Sequence, residues 1–292
     1  MFHVEHMEKK RTFYLKTKDY SVSGDSFELH HSNAYDILET RPKPSHKPFS
    51  AYYKSNQYIS HKTTGRNVFD WAYFLVRKIT LKRKIALISS FSFKQKTLLD
   101  FGTGVGSFVR ATRKAGWKSI GIEPSFDARK AANKLLKDSV FADDYITKLK
   151  PQSQSVITLW HVLEHLPKPK SKIKEFNRLL KKDGRLIIAV PNYKSYDAEY
   201  FNVFWAAYDV PRHLWHFSPQ SIVQLFSELG FELESSHPLL FDAYYVSLLS
   251  TKYKYGKIKI IKSLWIGFQS NRRAKRTGNY SSLIYVLKKI KT

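Results

Sequence analysis

The middle of the chain alternates between short apolar runs and stretches of helical period. Thr97 to Phe101 reads as a buried strand, and Gly106 to Ala115 follows at once as a helix. Ser119 to Glu123 is a second strand, Phe126 to Leu136 an alanine-rich helix, and Val140 to Ala142 a short third strand. Ser155 to Trp160 is apolar enough to be a central strand. Lys172 to Lys181 places Ile173, Phe176, Leu179 and Leu180 on one helical face, and Asp183-Gly184 turns the chain into a fifth strand, Arg185 to Val190. Ser218 stands as N-cap with Pro219 at the first helical position; Ile222, Leu225, Phe226 and Leu229 form that helix's apolar face, and Gly230 ends it. Phe231 to His237 and Leu283 to Leu287 complete seven strands. Alternation of this kind predicts an α/β fold, a mainly parallel sheet with helices on both faces.

Three segments fall outside that pattern. Residues 1–96 form an N-terminal extension, expected to hold a hairpin and an amphipathic helix with Phe69, Ala72, Tyr73 and Val76 on one side. Residues 97–292 form the main domain, with insertions at 193–217 and 241–281. The first insertion is rich in aromatics, the second basic and aromatic. Arg41-Pro42-Lys43-Pro44 and Lys47-Pro48 read as a stiff linker.

The first strand ends in Asp100 and breaks into Gly102-Thr103-Gly104-Val105-Gly106; the second ends in Glu123-Pro124. This order places a nucleoside-bearing ligand at the carboxyl ends of adjacent parallel strands, with glycines letting the backbone approach it and Glu123 accepting from ribose hydroxyls. A dinucleotide loop has glycine where this chain has Ser107, and a carboxylate at Asp100 repels a pyrophosphate but suits a cation.

Here the chain resembles the class I S-adenosylmethionine-dependent methyltransferases. Asp100, Gly102, Gly104 and Gly106 match the family's first motif, and Glu123 its ribose-binding acid. Phe141-Ala142-Asp143-Asp144 falls where the family places an acid near the adenine amino group, with Asp143 preferred and Asp144 second. Val156 to Pro167 resembles the fourth strand and following loop of the ubiquinone-type O-methyltransferases. The resemblance runs roughly from Thr97 to Pro238. It implies a Rossmann-like methyltransferase sheet, S-adenosylmethionine as cofactor, and a cofactor site of Asp100, Gly102, Thr103, Gly104, Gly106, Glu123, Pro124, Asp143 or Asp144, and His161. It also implies an antiparallel last strand. The asparagine- or aspartate-Pro-Pro-aromatic motif that ends strand four in many amino-group methyltransferases is replaced here by Trp160-His161-Val162-Leu163, which disfavours adenine or exocyclic-amine acceptors.

Composition narrows the picture. The chain has no cysteine, so disulfides, thiolate metal sites and cysteine nucleophiles are excluded. His30, His31 and His46 lack the company of a tetrahedral site, and no metal is expected. Met1 to Lys10 lacks an apolar signal core, and Val68 to Phe93 is broken by basic residues, so a cytoplasmic protein is expected. The formal charge is +26, of which +10 precedes Thr97, +5 lies between Thr97 and Pro238, and +11 follows. Such flanks attract nucleic acid, anionic lipid or an anionic substrate, or are simply a lysine-rich surface.

Methyl transfer from a sulfonium to a hydroxyl is helped by a base, and histidine suits that role near neutral pH. The candidates are His213, then His161 and His165. His161 and His165 follow the fourth strand, where His161 contacts the cofactor or acts as base. His213 follows the fifth, beside Arg212, which either binds an anionic acceptor group or pairs with Asp209. Phe201, Phe204, Trp205 and Tyr208 pack a core or lid, or line an acceptor site. The expected activity is methyl transfer to a hydroxyl of a small-molecule, lipid-like or saccharide acceptor, with peripheral contact to an anionic membrane. RNA methylation and a non-catalytic binding protein are the alternatives; nucleic acid is the weaker because no RNA-reading module is evident. The sequence does not set the oligomeric state.

Overall fold

The computed structural model describes residues 12–32, 35–43, 52 and 68–290. The chain divides into two compact units: Met1–Tyr58, Pro191–Gln224 and Asp242–Ser281 form the first, and Ile59–Val190, Leu225–Phe241 and Ser282–Thr292 the second. The described hairpin strands of the extension therefore share a unit with both insertions, while its helix belongs with the sheet.

The second unit is the expected α/β sheet. Its strands are β4 (Thr97–Phe101), β5 (Lys118–Ile122), β6 (Val140–Phe141), β7 (Gln154–Trp160), β8 (Leu180–Pro191), β10 (Phe231–Pro238) and β11 (Ser282–Lys289), in spatial order β10-β11-β8-β7-β4-β5-β6. The pairs β4·β5, β4·β7, β5·β6 and β7·β8 are parallel, and β10·β11 is antiparallel. Leu98, Leu99, Val156, Ile157, Ile187 and Val286 are fully buried, which is why these strands read as continuous apolar runs. Helices α1 (Val68–Ser89), α2 (Ser107–Lys114), α3 (Phe126–Leu136) and α4 (Pro169–Leu179) accompany it. Of the apolar face expected on α1, the side chains of Phe69, Ala72 and Tyr73 lie outside the described residues. The helix joins the core further along, through Ile88 with Leu81 and Ile85.

The boundary between the fourth helix and the fifth strand differs from expectation: the helix expected over Lys172 to Lys181 runs Pro169–Leu179, and Leu180 is strand, not part of the helical face. The fifth strand begins at Leu180, and the register passes from Gln154↔Leu180 to Val156↔Arg185. The Asp183-Gly184 turn is thus taken up as a bulge inside one strand rather than standing before it.

The first unit contains a four-stranded antiparallel sheet, β1 (Phe13–Lys18), β2 (Ser26–His31), β3 (Leu38–Arg41) and β9 (Trp215–His216), in that order. The strand β3 includes Arg41, so the expected linker starts as sheet; Pro44 to Pro48, with His46, lie outside the described residues. Helices α5 (Tyr196–Phe201), α7 (Asp242–Tyr255) and α8 (Ile260–Thr277) belong to this unit. Phe201, Trp205 and Tyr208 are buried with Leu29, Leu38 and Ile266, so this stripe is core. The buried Asp197 ties the unit together: Trp205 Nε1 donates to it at 2.8 Å, and the hydroxyls of Ser270 and Ser281 each donate at 2.7 Å. A buried carboxylate held by three donors is compensated. Helix α6 (Pro219–Ser227) is capped as predicted, Ser218 Oγ accepting from the Ser221 N–H at 3.1 Å.

Candidate functional site

The carboxyl ends of β4, β5, β6 and β7 carry the site. Asp100, near the end of β4, is almost wholly buried and accepts from Thr158 Oγ1 at 2.6 Å. Burial pushes its carboxyl up from 3.8 to about 6, against the pull of the Thr158 hydroxyl and the Lys84 charge. A carboxylate in such a place lacks a full counter-charge, and a cationic ligand supplies one.

Three glycines follow, all left-handed. At Gly102 (φ 75°) a Cβ would lie 2.4 Å from Val162 Cγ2, and at Gly106 (φ 72°) 2.4 Å from Leu136 Cδ1, so both are demanded by packing as well as by backbone. At Gly104 (φ 56°) a Cβ would meet nothing within 4 Å. That residue faces open space, where a ligand can lie against bare backbone. The Gly102 and Thr103 N–H groups donate to the Ile122 carbonyl at 2.8 and 3.0 Å, tying the loop to β5. Thr103 rests its methyl over Gly121, where a Cβ would come within 2.5 Å.

Glu123 joins the two strand ends. Its Oε2 accepts from the Gly104 N–H at 2.8 Å and its Oε1 from the Ser125 N–H at 2.9 Å. Arg129 Nη1 donates to the carbonyls of Glu123 and Pro124, both at 2.7 Å, and fixes the turn. Beyond β6, Lys172 Nζ donates to both oxygens of Asp143 at 3.1 Å while lying 5.1 Å over the Phe101 ring. Asp144 is exposed and pairs with Lys148 at 3.7 Å, so the two aspartates have different surroundings.

His161 follows β7 with φ 57°, a strained value for a non-glycine residue. Its backbone N–H donates to the Ala189 carbonyl at 3.0 Å, and its ring Nδ1 lies 3.4 Å from Oε1 of the buried Glu164. His165 ends the turn Leu163–His165 and is half-buried. Lys84 on α1 places its ammonium 4.0 Å over the Trp160 ring, which also meets Phe108 in a T-shaped contact, ring centroids 5.2 Å apart. Glu164 reads from the sequence as a cap of the turn after the fourth strand, and the sequence gives Lys84, Lys172 and Thr158 no role in the site. A lysine on a helix reads as a solvated residue, and none of those three stands at a spacing that singles it out.

In the first unit Arg212 is buried and engaged. Its Nε donates to both oxygens of Asp209 at 3.0 Å, its Nη2 to Asp19 Oδ1 at 2.9 Å, and its Nη1 to the Tyr52 carbonyl at 3.1 Å. Asp19 also accepts from the Val22 and Ser23 N–H groups, and its carboxyl is lowered from 3.8 to about 2, burial being outweighed by Arg212 together with the Ser23 N–H and the Ser21 hydroxyl. The stability this pair contributes is full above pH 3.8 and is lost as pH falls towards 2. Arg212→Lys keeps the charge but loses the planar fork; we expect it to cost about 2 kcal/mol in urea unfolding at pH 7. Unfolding indistinguishable from wild type would show that the fork carries no stability. His213 Nδ1 bonds the Ala207 carbonyl at 2.8 Å, which leaves Nε2 as the acceptor nitrogen of the neutral ring. His216 is fully buried against Thr40 Oγ1 at 3.0 Å, and burial holds its pKa well below the ordinary value.

A family model described as a methyltransferase domain matches residues 75–236, more than half of the chain. The chain belongs to the methyltransferase-domain family. An uncharacterized methyltransferase of Bacillus velezensis is 30% identical over 106 residues, which are 35% of this chain and 50% of that protein. A ubiquinone biosynthesis O-methyltransferase of Actinobacillus pleuropneumoniae is 32% identical over 108 residues, 33% of this chain and 46% of that one. The chain spans about half the length of the curated relatives it matches. A chain from the complex of a Haloferax volcanii methyltransferase activator with a methyltransferase has TM-score 0.52 at 14% identity, covering 78% of this chain and 99% of that one. An S-adenosylmethionine-dependent methyltransferase of Archaeoglobus fulgidus aligns with TM-score 0.49 at 19% identity, over 76% of this chain and 100% of that one. At 14% identity the likeness to the Haloferax volcanii complex chain is one of fold. The cofactor of this methyltransferase domain is S-adenosylmethionine. The residues fit it: open space at Gly104, carboxylates of Glu123 and Asp143 past the ends of β5 and β6, and near the end of β4 the buried Asp100 carboxyl short of counter-charge. Among the described residues no helix is long and apolar enough to cross a membrane.

Proposed function

We propose that this methyltransferase moves the methyl group of S-adenosylmethionine to a hydroxyl oxygen of a small-molecule, lipid-like or saccharide acceptor. The observation that carries the cofactor half is the carboxylate-edged loop: Gly104 open to space, its N–H on Glu123, with Asp100 buried behind it. The hydroxyl acceptor is supported by relatives named as O-methyltransferases and by the Trp160-His161 end of β7. An acceptor presented at an anionic surface also accounts for the basic flanks.

When bound, the cofactor supplies an electrophilic methyl on a sulfonium. Asp100 would balance its positive charge, Glu123 would hold the ribose and Asp143 the adenine amine, and Gly102, Thr103, Gly104, Gly106 and Pro124 would shape the cradle. His161 takes the hydroxyl proton, with Glu164 stabilising the imidazolium that forms. His165 is the second candidate for that proton; the expected base His213 lies in the first unit, with its Nδ1 on the Ala207 carbonyl. With its guanidinium engaged, Arg212 acts as a positioning residue for the segment that carries His213.

The reading is tested with labelled methyl donor and separate lipid, saccharide and RNA extracts. We expect label in an organic or sugar fraction as an ether that withstands mild alkali, with S-adenosylhomocysteine formed in equal amount. Label in RNA, or an alkali-labile methyl ester, would overturn the acceptor; cofactor binding without turnover on any extract would favour the non-catalytic alternative.

A further inference from the structure

Helix α8 is built inside out. Its packed face is Ser263, Gly267, Ser270 and Ala274 with Ile266, and at Gly267 a Cβ would come within 2.6 Å of the Tyr244 ring and 3.0 Å of its Cα. The two helices α7 and α8 therefore meet through small residues. The bulky ones point the other way: Ile261 is 86% exposed, Trp265 57%, Leu264 48% and Phe268 48%. These four recur at the spacing of one helical stripe, and exposed Ile258 and Ile260 extend it at the helix start. A soluble helix ordinarily turns such residues inward, and a clustered apolar patch marks a surface that meets something.

The charges around the stripe say what. From Ala243 to the end the chain has no acidic residue and twelve lysines and arginines. Lys254, Lys259 and Lys262 gather over Tyr255, their ammonium groups 5.8, 4.4 and 4.8 Å from its ring, and Lys262 Nζ donates to the phenol oxygen at 2.8 Å. Further along, exposed Arg272, Lys275 and Arg276 continue the same stripe. A second copy of the chain docked face to face would bring these cations together and repel. Aliphatic Ile261 and Leu264 offer nothing for a nucleobase to stack on. An apolar strip rimmed by cations, with Trp and Phe at its centre, matches acyl chains below anionic headgroups.

We propose that Ile258 to Phe268 is a membrane-docking face, which lays α8 in the interface of an anionic bilayer with Trp265, Phe268, Leu264 and Ile261 among the acyl chains. The lysines around Tyr255 and the arginines of the last turns engage the lipid phosphates. The proposal deepens the lipid-surface part of the reading above but does not need methyl transfer to be correct.

Flotation of the full chain on phosphatidylglycerol–phosphatidylcholine vesicles and on pure phosphatidylcholine vesicles tests it. The wild type is expected to float with the anionic vesicles, to stay behind with the neutral ones, and to be released by high salt. Trp265→Ser with Phe268→Ser is expected to lower partitioning by about tenfold or more, and Lys254→Glu with Lys259→Glu to do the same. Both pairs are on the surface, so circular dichroism, melting temperature and calorimetric affinity for S-adenosylmethionine are expected to match wild type. Those controls separate the two readings, because a chain that floats without binding the cofactor refutes the enzyme and leaves the docking face. Failure to float on anionic vesicles overturns the proposal. So does flotation unchanged in the Trp265 and Phe268 variant, or a dimer or RNA complex that this variant dissolves.

Discussion

Glu123→Ala is expected to weaken S-adenosylmethionine binding by about a hundredfold or more, because hydrogen bonds to a charged group are worth about 1.5–3 kcal/mol each and two are removed. The same carboxylate holds the Gly104 and Ser125 N–H groups, so the empty protein is expected to lose only about 1 kcal/mol, since those amides can turn to water. Glu123→Gln keeps one acceptor oxygen and should fall between. Isothermal calorimetry gives the affinity and urea unfolding the stability. An unchanged affinity in Glu123→Ala would remove the ribose from this carboxylate. Binding of NAD in place of S-adenosylmethionine would sink the cofactor assignment altogether.

The parts of the molecule that the chain announces are those whose apolar residues are large. Thr97–Phe101 and Phe126–Leu136 have the bounds that spacing predicts, because Leu98, Leu99, Ala132 and Leu136 repeat at strand and helix periods and all are buried. Helices α7 and α8 give no such signal. Apart from Val246 and Ile266 their buried positions are small or polar, Ala243, Ser247, Ser250, Thr251, Ser263, Gly267, Ser270 and Ala274, and hydropathy does not mark a face made mostly of serine, glycine and alanine. The strand bounds of β8 shifted for another reason: Asp183-Gly184 has turn chemistry, but the ladder to β7 resumes on both sides of it. In the candidate site, the glycine loop and Glu123 stand out because backbone geometry demands them. Lys84 and Lys172 do not, since what distinguishes them is an aromatic ring brought near by folding. Arg212 is the plainest case. Its neighbour Asp209 lies three positions away and reads as a partner from spacing, whereas Asp19, 193 residues earlier, is visible only once the chain is folded.

Asp100→Asn separates what the site needs from what the fold needs. In the folded chain this carboxyl titrates near 6 instead of 3.8, so between those values the native state binds more protons than the unfolded one. Stability from this group is therefore full below pH 3.8 and declines as pH rises through about 6, by about 3 kcal/mol in all. Asparagine abolishes that decline while still accepting from the Thr158 hydroxyl, though its amide needs a partner of its own. The empty variant is expected to be about 1–2 kcal/mol more stable than wild type at pH 8 and no more stable at pH 4, by urea unfolding. It is also expected to bind S-adenosylmethionine at least about tenfold more weakly, since the cation loses its counter-charge. In the wild type, a bound cation favours the ionised carboxyl, so binding near pH 6 should release a fraction of a proton and binding at pH 8 none. Calorimetry in buffers of different ionisation enthalpy reads that difference directly. Equal heats in all buffers at pH 6, together with no gain in stability at pH 8, would mean that Asp100 is already ionised and compensated in the empty protein. The buried acid would then be a structural group, and the cation would have to be recognised by the surrounding carboxylates alone.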